Sequence, residues 1–78
     1  MTKEIVLAER ITSNPDVMLG KPVIRGTRIP VYILVEMIGA GETPEDLVDA
    51  YPELTLEDID AAIAFDAEMQ RHIDVRAL

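Results

Sequence analysis

The sequence predicts a mainly α fold: a three-helix body of the helix-turn-helix (homeodomain-like) type, preceded by short β-strands or a β-hairpin. Three observations carry this prediction. An apolar run is bracketed by Pro30 and Gly41, residues that respectively suit the start and the end of a helix. Two further helix starts have one design, Thr43 followed by Glu45 and Asp46, and Thr55 followed by Glu57 and Asp58. Ahead of them, Val23-Ile24-Arg25 and Arg28-Ile29-Pro30 are near mirror images about Gly26-Thr27, as two strands of a hairpin would be. All 78 residues read as a single domain, with an N-terminal strand or hairpin arm over 1–30 and the helical body over 31–73.

Taken in order, Ile5, Val6 and Leu7 are too short and mixed a run to assign, whereas Ile11-Thr12 is the better candidate for a short strand. Asn14-Pro15-Asp16 is a turn signal, because proline presets φ and Asn or Asp bonds its own following backbone. In the hairpin, a two-residue type II′ turn at Gly26-Thr27 sets Arg25 opposite Arg28 and Ile24 opposite Ile29. Two like charges facing each other are unfavourable without an anion beside them. The stretch therefore poses the question of which anion that is.

Pro30 serves as the first residue of a helix that is apolar nearly all round through Ala40, with Glu36 its only charge, and this helix should lie at the buried centre. A short second helix runs from Pro44 until Pro52 ends it at Tyr51. The third starts at Thr55 and continues to about His72, with Leu56, Ile59, Ala62, Ile63, Ala67 and Ile73 as its core-facing stripe. Asp66 falls inside that apolar arc, and Phe65 and Met69 fall outside it or at its edge. Either the helix end is loosely packed, or Phe65, Asp66 and Met69 form a dimer or partner surface with Asp66 paired to a basic group such as a hairpin arginine.

Composition narrows the classes of function. Half the residues are hydrophobic (49%) but only 4% are aromatic, so the core must be aliphatic. A chain of 78 residues is near the size at which one core gives little net stability, and a homodimer is the expected remedy. The absence of cysteine excludes disulfides, thiolate zinc sites and cysteine nucleophiles. With no apolar run long enough for a signal peptide or a membrane span, the expected location is the cytoplasm, with no membrane partner. The net charge is −8 and unevenly placed: the first 35 residues carry five basic and three acidic side chains, the remainder two basic and twelve acidic. Such a chain offers its basic end to an anion.

Chemistry of the catalytic kind is poorly supplied. The one histidine, His72, stands near a helix end, and the one serine, Ser13, lies in a turn with no identifiable base. Gly20-Lys21-Pro22 fails as a phosphate-binding loop, because Pro15 replaces the first glycine and Pro22 the magnesium-holding hydroxyl residue. No metal, cofactor or small-molecule substrate is expected, and no enzyme. Three helices with a short turn between the last two suggest DNA binding, yet the first turn of the would-be recognition helix is Leu56-Glu57-Asp58-Ile59-Asp60, of the wrong sign for phosphate. Lys21, Arg25 and Arg28 are the better candidate contact for a partner or a nucleic acid. The alternative is that these arginines are struts held by carboxylates of their own chain.

The ordered motifs GKPVIRGTRIPV from Gly20, an apolar helix closing on Gly39-Ala40-Gly41, Thr43-Pro44-Glu45-Asp46, Tyr51-Pro52 and LTLEDI ending at Ile59 resemble the bacterial and archaeal family called domain of unknown function 433. The resemblance covers about Ile11 to Met69. It implies a small helix-turn-helix-type domain preceded by short strands, without catalytic residues, and an antitoxin role beside a PIN-like ribonuclease. An antitoxin of that kind denies its nuclease RNA, either by setting an arginine among metal-binding carboxylates or by covering a basic groove with an acidic surface. Two other readings stay open: a DNA-binding helix-turn-helix regulator, including one acting on its own operon, and a structural dimerisation module.

Overall fold

A computed structural model describes residues 3–77, and the side-chain surroundings of 3–71. Three short strands, β1 (Ile5–Ala8), β2 (Ile11–Ser13) and β3 (Val23–Ile24), precede three helices, α1 (Val31–Gly39), α2 (Pro44–Ala50) and α3 (Leu56–Ala77). The fold is thus mainly α with a short three-stranded antiparallel sheet at its N-terminal end, in the order β1-β2-β3. Ile5 to Ala8, left unassigned from the sequence, form an edge strand. The register of β1 on β2 shifts between Val6 and Ala8, so the strand carries a bulge.

The arm is not an appendage. Ile11, Ile24 and Ile29 from the N-terminal part share one core with Val31, Leu34, Leu47, Leu54, Ile59 and Ala62 from the helices. Removing these aliphatic side chains from water is what holds the halves together. In α1, only Val31 and Leu34 are fully buried, and Ile33, Val35, Met37 and Ile38 are half-buried, so this helix is central without being enclosed. Pro30 is its N-cap and not its first helical residue. Its other end closes as expected: Gly41, at φ 107°, donates its N–H to the Ile38 carbonyl, and Glu42 donates to that of Met37. That is a Schellman close, which needs the left-handed glycine.

Both expected helix starts carry full capping boxes. Thr43 and Asp46 exchange hydrogen bonds at the start of α2, and Thr55 and Asp58 do the same at the start of α3. The stripe expected on α3 needs correction. Ile59 and Ala62 are buried, but Leu56 and Ile63 are 44% and 37% exposed and Ala67 is exposed too. Phe65, placed outside the stripe or at its edge from the sequence, packs against the core. The helix lies across a thin three-stranded sheet and one helix layer, so its buried arc is narrower than its apolar arc and is rotated toward Phe65. Its length also exceeds the reading to His72. The surroundings of His72 and Ile73 lie outside the described residues.

A feature without sequence signal joins β2 to β3. Met18, Leu19 and Gly20 have φ of 51°, 58° and 82°, a short turn in left-handed backbone that costs the two non-glycine residues roughly 1 kcal/mol each or more. The Ser13 hydroxyl donates to the Gly20 carbonyl at 2.6 Å and holds the turn.

Candidate functional site

The hairpin tip is built by the turn Ile24-Arg25-Gly26-Thr27. The Thr27 N–H donates to the Ile24 carbonyl at 3.0 Å, and the Thr27 hydroxyl donates to the same oxygen at 2.8 Å. Gly26 stands at φ 79° with no atom within 4 Å of where a Cβ would lie. Its role is therefore conformational, not one of close packing. The Ile29 N–H then donates to the Thr27 hydroxyl, and the Ile24 N–H to the Ile29 carbonyl.

Ile24 does sit opposite Ile29, as the mirror pattern implied, and Val23 bridges Pro30. The turn, however, is one residue earlier than a Gly26-Thr27 type II′ turn. Glycine occupies its third position, where a type II turn needs positive φ, and the threonine hydroxyl supplies bonds that a shorter hairpin would take from the backbone. Arg25 and Arg28 consequently do not face each other across paired strands. Arg25 borders an open cleft with Glu9, Arg10 and Asp58, whereas Arg28 borders another with Glu4, Asn14 and Glu53.

The arginine that does lie opposite Arg25 is Arg10. β2 and β3 pair Ile11 with Ile24, and the ladder extends one step as the Arg25 N–H donates to the Arg10 carbonyl at 2.8 Å. The anion demanded by two neighbouring arginines is Asp58: Arg10 Nη1 donates to Asp58 Oδ1 at 3.1 Å. Sequence reasoning gave Arg10 no role. Only the β1–β2 turn, where Arg10 holds φ 69°, brings it over the start of α3.

Arg25 and Arg28 themselves are exposed, and among the described residues neither makes an ion pair. The strut role belongs to Arg10. Lys21, also exposed, lies with its Nζ 4.8 Å from the centre of the Tyr32 ring, a cation–π contact. Asp66 lines the groove that contains Lys21 and Tyr32, together with Phe65 and Met69, but makes no ion pair with a hairpin arginine. Phe65 and Met69 also line a second groove of about 500 Å³ against Leu7 and Ala8 of β1. Phe65 and Met69 thus border two apolar grooves, Asp66 and Lys21 share one of them, and Arg25 and Arg28 border separate clefts.

No group of three or more metal-ligating side chains occurs among the described residues, and none of their helices is long and apolar enough to cross a membrane.

Comparison with known proteins gives one consistent result. The model of a family described as "protein of unknown function (DUF433)" matches residues 11–65. A protein of Sinorhizobium fredii described as uncharacterized protein y4eO is 45% identical over 51 residues, 65% of this chain and 23% of that protein. The chain therefore spans less than a quarter of that relative's length. Among solved structures, a DUF433 member protein from Anabaena variabilis superposes with a TM-score of 0.76 at 37% identity, covering 90% of this chain and 69% of the other.

Proposed function

The chain belongs to the DUF433 family of proteins of unknown function, and from that premise we propose that it is a non-enzymatic, antitoxin-like protein that binds and occludes a PIN-like ribonuclease. The observation that supports this most is the pair Arg25 and Arg28, exposed at a hydrogen-bonded turn on a chain of net charge −8. A guanidinium presents its donors in a planar fork that matches a carboxylate. Held on a turn, it loses less freedom when it binds. Of the two routes by which an antitoxin blocks a nuclease, insertion of an arginine among active-site carboxylates is the one this tip is suited to. The exposed acids Glu57 and Asp60 on α3 are repelled by phosphate, which weighs against a helix-turn-helix reading of DNA.

The test is co-expression with a PIN-like nuclease encoded beside it. The expected result is a stable complex in which the nuclease is silent, and the double variant Arg25→Ala, Arg28→Ala should weaken that complex at least tenfold while melting where the parent does. Equal affinity in the double variant would remove the tip from the mechanism. A melting temperature that falls with no loss of partner would make the arginines struts. Salt-dependent binding of promoter DNA through the same arginines, without a nuclease complex, would replace the reading by a regulator's.

A further inference from the structure

The sheet has one closed edge and one open edge. Beside β3, the chain returns as Ile29 and Pro30, with the Ile24 N–H donating to the Ile29 carbonyl and Val23 bridging Pro30, whose ring nitrogen has no hydrogen to offer a further strand. At the other side, β1 pairs with β2 and, among the described residues, with no other strand. Its residues Ile5, Val6 and Leu7 are 59%, 68% and 43% exposed. Ile5 and Val6 precede a bulge, after which Leu7 and Ala8 border one groove, and neither proline nor charge interrupts Ile5–Ala8. Apolar edges of this kind template strand addition, and folded proteins ordinarily blunt them with charge or proline.

We propose that β1 is the interface between two copies of this chain, paired antiparallel about a twofold axis through Val6 to give one continuous sheet. The register follows from symmetry and charge. Residues paired across an antiparallel ladder share a face of the sheet, so a twofold axis normal to it must pass through a residue pair and not between two pairs. Centring on Ile5 sets Glu4 against Val6, and centring on Leu7 sets Glu9 against Ile5. Centring on Val6 sets Ile5 against Leu7 of the second copy, Glu4 against its small Ala8 and Lys3 against its Glu9, each pair made twice by the symmetry, whereas the Leu7 centre offers Glu4 only Arg10, already held by Asp58.

This self-complementarity is what identifies the occupant as a second copy rather than a foreign strand. Lys3 is available for it: its present partner Asp16, at 3.2 Å, is an exposed ion pair with both side chains more than 60% accessible, an interaction that holds little energy. The bulge between Val6 and Ala8 keeps the regular pairing short, and Lys3 and Glu9 lie just beyond the two ends of β1, where their charges bias the register. The surface continues inward. Leu7 borders the groove lined by Ala61, Phe65 and Met69, and Ile5 of the second copy, directly opposite Leu7, covers its mouth. The inference does not rest on the antitoxin reading.

The experiment uses the full chain alone. Sedimentation equilibrium should give twice the 8.7 kDa chain mass, and Val6→Lys, which places a charge on the axis, should give the monomer with an unchanged circular dichroism spectrum. Because the chain has no cysteine, Val6→Cys should oxidise to a covalent dimer, since facing residues in an antiparallel pair have the Cα separation a disulfide needs. Ile5→Cys, whose opposite residue is Leu7, should cross-link far more slowly. Lys3→Glu and Glu9→Lys should each weaken the dimer about tenfold, and the two together should restore it. A monomer at high micromolar concentration overturns the proposal. So does a dimer that Val6→Lys leaves intact, or one in which Val6→Cys cross-links no faster than Ile5→Cys.

Discussion

The starts of α2 and α3 are the same motif used twice, with different consequences. At α2, the Thr43 N–H donates to Asp46 Oδ2 at 2.9 Å and the Asp46 N–H to the Thr43 hydroxyl at 3.1 Å, on the surface. At α3 the corresponding distances between Thr55 and Asp58 are 3.0 and 3.2 Å, but Asp58 is 8% exposed and its other oxygen receives Arg10. A capping carboxylate uses one oxygen on the backbone and has a second to place. At α2 that oxygen faces water and the cap is a local device. At α3 it ties the β1–β2 turn to the first turn of the longest helix, and a local motif becomes a long-range one.

Removing Asp58 should have the largest effect. Asp58→Ala loses the cap and leaves Arg10 without its partner beside Arg25, and an expected cost of about 2–3 kcal/mol lowers the melting temperature by about 10–20 °C. A loss no greater than that from Asp46→Ala, measured by the same thermal unfolding, would show that the two starts are equivalent after all. Arg10→Ala should cost about 1 kcal/mol, because the arginine side chain is 43% accessible and its pair is partly screened. In a double-mutant cycle with Asp58→Asn, which keeps a capping acceptor, the two losses should be less than additive. Additivity would mean that the ion pair holds nothing.

The smallest effect belongs to Asp46. The hydrogen bond from the Thr43 backbone, and then that from its hydroxyl, hold the Asp46 carboxyl below its ordinary value of 3.8. A carboxylate whose folded value is depressed contributes stability that is complete above the unfolded value and is lost as pH falls through the folded one. Acid titration of the melting temperature should therefore show a slightly shallower decline below about pH 4 for Asp46→Asn than for the parent. Identical slopes would make the cap at α2 independent of charge.

Much of the fold was legible because its signals are local. Thr43, Thr55 and Gly41 act on backbone groups within a few residues of themselves, and each does what its place in the sequence implied. The pairing of Ile24 with Ile29 was legible for the same reason. The placement of the turn was not, because the Thr27 hydroxyl competes with the backbone for the Ile24 carbonyl. Nor was the buried face of α3: Ile63 and Phe65 are both apolar, and only the position of the sheet beneath the helix decides that Phe65 goes inward and Ile63 stays 37% exposed. Of the candidate contact residues, Lys21, Arg25 and Arg28 are exposed as expected. Arg10 could not be seen as their neighbour, since its partner lies 48 residues away.

The sequence by itself determined where the three helices start to within a residue, that Ile24 and Ile29 pair across a turn, and that the basic charge is concentrated ahead of an acidic body. These are properties of nearest neighbours and of composition. The tertiary structure alone decided which arginine is anchored and which two are offered, and which sheet edge is closed by Pro30 and which is left open at Ile5–Ala8. The physical reason is the same in each case. A second carboxylate oxygen, an unpaired strand edge and the far side of an apolar helix are all capacities that local structure leaves unfilled, and only the packing of distant segments determines what fills them.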